Sequence, residues 1–60
     1  MFSTIVDNIG TVETTDNEAK ARKTYACYVG MSIRNDGRAG GECVTLMCDG
    51  EIVAEHIPHN

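Results

Sequence analysis

The residues most able to do chemistry in this chain are three cysteines and two histidines, Cys27, Cys43, Cys48, His56 and His59. All five are zinc-ligand types. Structural zinc sites usually pair them closely, as in C-x₂₋₄-C. Here the pairs are Cys43-x₄-Cys48 and His56-x₂-His59, and neither has that form. Cys43 and Cys48 also lie five apart on or beside one strand, so a regular pleat would point them to opposite faces. Cys27 falls inside a helical pattern, where a small thiol packs well. A cysteine nucleophile would further need a base and a group to orient it, and no motif supplies them. Ordinary packing or exposed thiols account for these residues. No metal, cofactor or catalytic role is expected.

Gly37-Arg38-Ala39-Gly40-Gly41 has the composition of an anion cradle, in which backbone N–H groups converge on a phosphate and Arg38 clamps it. Phosphate loops, however, follow a strand and open a helix. This segment follows a helical pattern and opens a strand, so it reads as a flexible connector. The charged residues are the better candidates. Lys20, Arg22 and Lys23, with Arg34 and Arg38 beyond, form a basic middle, while Glu42, Glu51 and Glu55 gather on the last hairpin. A partner-binding surface is expected to use Arg22, Lys23, Arg38, Glu42, Glu51 and Glu55. The acids also allow a nucleic-acid mimic, although nine acids in sixty residues is a modest excess for one.

The elements that must position these residues can be read in order. Residues 2–14 are rich in β-branched side chains, interrupted by Asp7-Asn8-Ile9-Gly10, and form either a tight hairpin or one bulged strand. Thr15-Asp16-Asn17-Glu18 fits a capping box with Thr15 as N-cap. A helix is predicted from Asp16 to Ser32 or Ile33, with Asp16–Lys20 and Glu18–Arg22 as i,i+4 pairs. Its buried stripe is Ala21, Tyr25, Tyr28, Val29 and Ser32, widened by Ala26 and Ile33. Gly30 weakens the last turn, and Asn35-Asp36-Gly37 ends it.

Glu42–Cys48 and Glu51–Ile57 flank Asp49-Gly50, a strong hairpin signal. A two-residue loop would set Cys48 opposite Glu51 and mix polar with apolar side chains on both faces. A three-residue loop with Gly50 in a bulge sets Met47 opposite Glu51 and Cys43 opposite Glu55. It collects Val44, Leu46, Ile52 and Ala54 on one face and Cys43, Thr45, Glu51, Val53 and Glu55 on the other. Since a buried face specifies register, the second is expected. The whole is a single α+β domain over 1–60: a small antiparallel sheet of three to four strands with one helix packed on one face, in β(β)αββ order. The other face, and an edge strand, stay open to pairing with another chain.

Sixty residues bury only about 60% of the surface the unfolded chain exposes, too little for a deep active site. Function is therefore expected on the surface, without an enzyme's cavity. The net charge is −4, and an acidic whole disfavours general nucleic-acid binding. No apolar run approaches the roughly 18 residues of a membrane span. Three cysteines cannot all pair within one chain, and Met1-Phe2-Ser3-Thr4 lacks a leader's basic region, so the reducing cytoplasm is the expected compartment.

Two segments carry a resemblance: Asp7-Asn8-Ile9-Gly10-Thr11-Val12, and Gly37 to Leu46 followed by Asp49-Gly50-Glu51-Ile52-Val53. The layout resembles short proteins of unassigned role encoded by tailed bacteriophages and mobile elements. That resemblance implies a host protein or complex as partner, an immune nuclease complex or RNA polymerase for example, blocked by surface occlusion in the manner of an anti-CRISPR protein within the host cytoplasm. It assigns no residue a role. The rival expectations are a homodimer or other homo-oligomeric accessory protein, and a small nucleic-acid-binding module using the basic helix and the Arg38 loop.

Overall fold

The computed structural model describes residues 1–35 and 37–58; Asp36, His59 and Asn60 lie outside the described residues, as does the side chain of Arg38. Strands β1 (Phe2–Val6) and β2 (Gly10–Thr15) form a hairpin, followed by helix α1 (Glu18–Arg34) and a short 3-10 turn (Gly37–Ala39). A second hairpin of β3 (Val44–Cys48) and β4 (Glu51–His56) completes the chain. The strands make one antiparallel sheet in the order β2-β1-β3-β4, and α1 packs on one face across β3, β1 and β2. This is the expected α+β architecture, with four strands. The first segment is both a hairpin and bulged, since Gly10 turns at φ +100° and Val12 is an extra residue between Thr11 and Glu13.

Residues directly opposite one another share a face, so the register sorts the side chains. Thr4 pairs Leu46 and Val6 pairs Val44 on the helix-covered face. There Val6, Val44 and Leu46 are completely buried, with Ala21 of the helix and Ala39 of the 3-10 turn. Val12, Tyr25, Tyr28, Val29 and Met31 pack against the cluster of Val6, Ala39 and Val44. The open face carries two rows. One is Thr14–Ser3–Met47–Ile52, and the other is Thr11–Ile5–Thr45–Glu55.

Helix α1 begins two residues later than the capping-box reading. Asn17 is the N-cap and accepts the Lys20 N–H at 3.0 Å, while Thr15 stays in β2 and accepts the Asn17 N–H at 3.1 Å. Glu18 therefore opens the helix instead of reaching back to a cap. The helix runs through Gly30 and stops at Asn35, whose left-handed conformation (φ 59°) closes the C-terminus. The buried stripe is Ala21 and Ser32 with half-buried Tyr25, Tyr28 and Val29; Ala26 and Ile33 face solvent instead.

The glycine-rich connector is fastened to the helix end. The Ser32 carbonyl accepts the N–H groups of Asn35 at 3.2 Å and Gly41 at 3.1 Å, and the Ser32 hydroxyl donates to the Glu42 carbonyl at 2.7 Å. A Cβ on Gly40 would lie 2.6 Å from the Asn35 carbonyl carbon, so glycine here serves close approach. As a phosphate cradle the segment is poorly placed, because a helix C-terminus presents carbonyls and the negative end of the dipole.

The second hairpin corrects the expected register. Its loop has two residues, Asp49 (φ 51°) and Gly50 (φ 87°), both in the left-handed region that a type I′ turn requires. Cys48 pairs Glu51 and Met47 pairs Ile52, but Leu46 pairs Ala54, which leaves Val53 as an extra bulged residue. The bulge absorbs the mixing of faces that an unbroken two-residue register would impose. Thr45, not Cys43, stands opposite Glu55.

Candidate protein-contact surface

Strand β4 is an edge of the sheet, and it carries an unusual load of exposed aliphatic side chains. Ile52 is 60% exposed and Val53 42%, and Ile57, one residue past the strand, is 61% exposed. Ile52 was expected on the core face of the hairpin, yet it faces solvent. The reason is geometric. The helix lies over β1, β2 and β3, and a single helix cannot also shield the outer strand. Ile52 continues across the open face into half-buried Met47, with Ile5 in the adjoining row. The other edge, β2, exposes no large aliphatic residue.

The acids expected to form one face are separated. Glu55 stands opposite Thr45 on the open face, whereas Glu51 stands opposite Cys48 on the helix side, because the Val53 bulge shifts the alternation between them. Both are exposed and bracket the aliphatic stretch. Glu42 precedes β3, is half-buried, and joins the helix-end fastening through its backbone. The structure thus gathers Glu51 and Glu55 at β4 and places Glu42 elsewhere.

Among the bases, the Arg22 guanidinium holds Glu18 at 2.9 Å. Both side chains are about half exposed, so this is a weak surface pair. The expected Asp16–Lys20 pair is replaced: Asp16 lies before the helix, 3.7 Å from the Met1 α-amino group. Lys20 and Lys23 border an open depression of about 430 Å³, whose other walls are Thr24, Cys27, Tyr28 and Met31. All six lining residues belong to α1, so the depression is the helix flank, and among the described residues no second element encloses it. Arg38 lies in the 3-10 turn that follows the C-terminal end of the helix in sequence.

The cysteines remain apart in role. Burial raises the Cys43 thiol above its ordinary pKa, and the neighbouring carboxylates of Asp7, Glu55 and Glu42 push the same way. That environment opposes the thiolate, which is the nucleophile and the metal ligand. Cys27 is exposed on the helix, and Cys48 donates weakly to Asp49 at 3.8 Å. Among the described residues no three His, Cys, Asp or Glu side chains gather into a metal-binding group; His59 lies outside them. Also among the described residues, no helix is long and apolar enough to cross a membrane.

The aliphatic edge was missed because an alternating Ile-Val-Ala pattern reads identically on an inner and an outer strand. Comparison with protein-family models, with curated proteins and with solved structures gives no match.

Proposed function

We propose that this chain is a non-enzymatic protein-binding module that acts by covering a surface of another protein. The observation that carries the reading is the exposure of Ile52 and Val53 on an edge strand and of Ile57 just past it. Burying one such side chain is worth about 1.5–3 kcal/mol, and this domain leaves that free energy unused. Exposed aliphatic side chains beside an unpaired strand edge suit a contact with another protein. The resemblance to small phage proteins supports a host factor as the partner, disabled by occlusion.

The rivals fit the same surface less well. A nucleic acid would meet Glu51 and Glu55 beside the apolar stretch, and carboxylates repel phosphates. A second copy pairing through β4 about Val53 would set Glu51 of each chain against Glu55 of the other, and like charges opposite one another destabilise a ladder.

The test is capture from bacterial lysate by tagged wild type, Ile52→Glu, Ile57→Glu and Lys23→Glu chains. One stoichiometric protein retained by wild type and Lys23→Glu, but lost from both isoleucine variants, is expected. Retention by all four chains, or of the bait alone, overturns the reading.

A further inference from the structure

We propose that β4 is completed by an extended segment of the partner, which pairs with it as a fifth antiparallel strand and carries Lys or Arg opposite Glu51 and Glu55. This rests on the binding-module reading and names the partner's chemistry. An edge strand presents unpaired backbone donors and acceptors, and adding a strand satisfies them. At β4 that backbone row runs beside Ile52 and Val53 and is bracketed by two exposed acids, with no Lys or Arg in the strand. The two acids make the edge discriminate. They set like charges together when β4 meets its own copy, so the devices that deter self-pairing favour a basic strand.

The bulge fixes the spacing of that strand. Glu51 and Glu55 are four apart in the chain, but their partners on β3, Cys48 and Thr45, are three apart because Val53 has no partner. An added unbulged strand meets the same count. Its two bases are therefore three apart and point to opposite faces, as the two glutamates do. Between them, one residue stands opposite Ile52 on the open face and is apolar, and one stands opposite Ala54 on the helix side and is small. Read antiparallel, the complement is base, small residue, apolar residue, base.

The probe is a fluorescent synthetic peptide with Lys-Ala-Ile-Lys at its centre, titrated against the full chain at low and moderate salt. Binding that weakens with salt is expected, reduced roughly two- to fivefold by Glu51→Lys or Glu55→Lys alone, as an exposed ion pair implies. A peptide with Glu in place of both lysines should recover binding to the double Lys variant. The same sequence N-methylated at every backbone amide, so that neither edge can pair, should not bind. N-methylated peptide binding as well as the parent overturns strand addition. So does equal binding by the Lys and Glu peptides to wild type. If lysate capture depends on Ile52 and Ile57 while the peptide fails, the strand proposal falls and the binding-module reading stands.

Discussion

The Ser32 hydroxyl donates to the Glu42 carbonyl at 2.7 Å, joining the last turn of the helix to the segment that enters β3. Ser32 is only 4% exposed, and its own carbonyl accepts from Gly41 on the same segment. Removing the hydroxyl leaves the partly buried Glu42 carbonyl without its donor, which costs about 1–3 kcal/mol. Ser32→Ala should lower the urea midpoint accordingly without altering the slope of the transition. An unchanged midpoint would mean that water replaces the hydroxyl freely and the fastening is carried by the backbone alone.

Gly40 and Gly10 separate two uses of glycine. A side chain at Gly40 meets the Asn35 backbone at 2.6 Å, whereas one at Gly10 meets nothing within 4 Å but must sit at φ +100°. The first is a collision with main chain that only a shift of the helix end can relieve, and overpacking of this kind costs about 1–3 kcal/mol or more. The second is conformational strain of about 1 kcal/mol. Gly40→Ala should therefore reduce the thermal midpoint more than Gly10→Ala. The reverse order in a calorimetric scan would show that the connector yields more easily than the turn.

The α-amino group of Met1 and Asp49 predict how stability follows pH. The ammonium donates to Asp49 Oδ1 at 3.1 Å. That hydrogen bond raises the amine above its ordinary 8.0 and, from the other side, lowers Asp49 below its ordinary 3.8. A raised amine stabilises the fold fully below its unfolded value and loses that contribution as pH rises through the folded one. A lowered carboxylate stabilises above its unfolded value and loses it as pH falls toward the folded one. The pair thus acts between about pH 4 and pH 8 and fades on both sides. Asp49→Asn keeps a residue that tolerates the left-handed turn and removes the charge. It should flatten both flanks of a pH–stability profile; flanks of wild-type steepness would assign them to other groups.

The helix, both hairpins and the sheet class were legible because each rests on local chemistry: β-branched runs, an i,i+4 ion pair, and Asp49-Gly50 at a tight turn. Register was less so. Val12 and Val53 are indistinguishable in sequence from ladder residues, yet each is the unpaired residue of a bulge. Strict alternation then assigned Glu51 and Glu55 to one face when they occupy two. Burial failed at Ile52 for a longer-range reason, since strand order decides which strand is outermost and no local pattern encodes it. The capping box failed by two residues because Thr15 and Asn17 are both good caps, and Thr15 was taken by β2.

Thiol reactivity gives a separate check on the environments of the cysteines. Alkylation proceeds through the thiolate, which the burial of Cys43 and its acidic neighbours Asp7, Glu55 and Glu42 suppress. Cys27 stands exposed on the helix. With limiting iodoacetamide at neutral pH, peptide mapping should find Cys27 modified well before Cys43. Denaturant should bring the two rates together. Faster labelling of Cys43 in the folded chain would contradict its placement beside the carboxylates.

The bulges make the most discriminating prediction about the fold itself. Val53 has no partner on β3, and its neighbours Ile52 and Ala54 pair the adjacent residues Met47 and Leu46. Deleting Val53 therefore leaves every remaining pair of the hairpin intact and converts β4 into an unbroken strand. Val53 is also 42% exposed, so little packing is lost. Val12 is the corresponding residue of β2, but it packs against Val6, Ala39 and Val44, and its deletion opens the core. The Val53 deletion should fold, with the same amide pairing across β3 and β4 by nuclear Overhauser contacts and a loss in stability on the order of 1 kcal/mol or less. The Val12 deletion should lose several times that. A Val53 deletion that unfolds would mean that the extra twist a bulge imparts is needed to seat the hairpin under the helix.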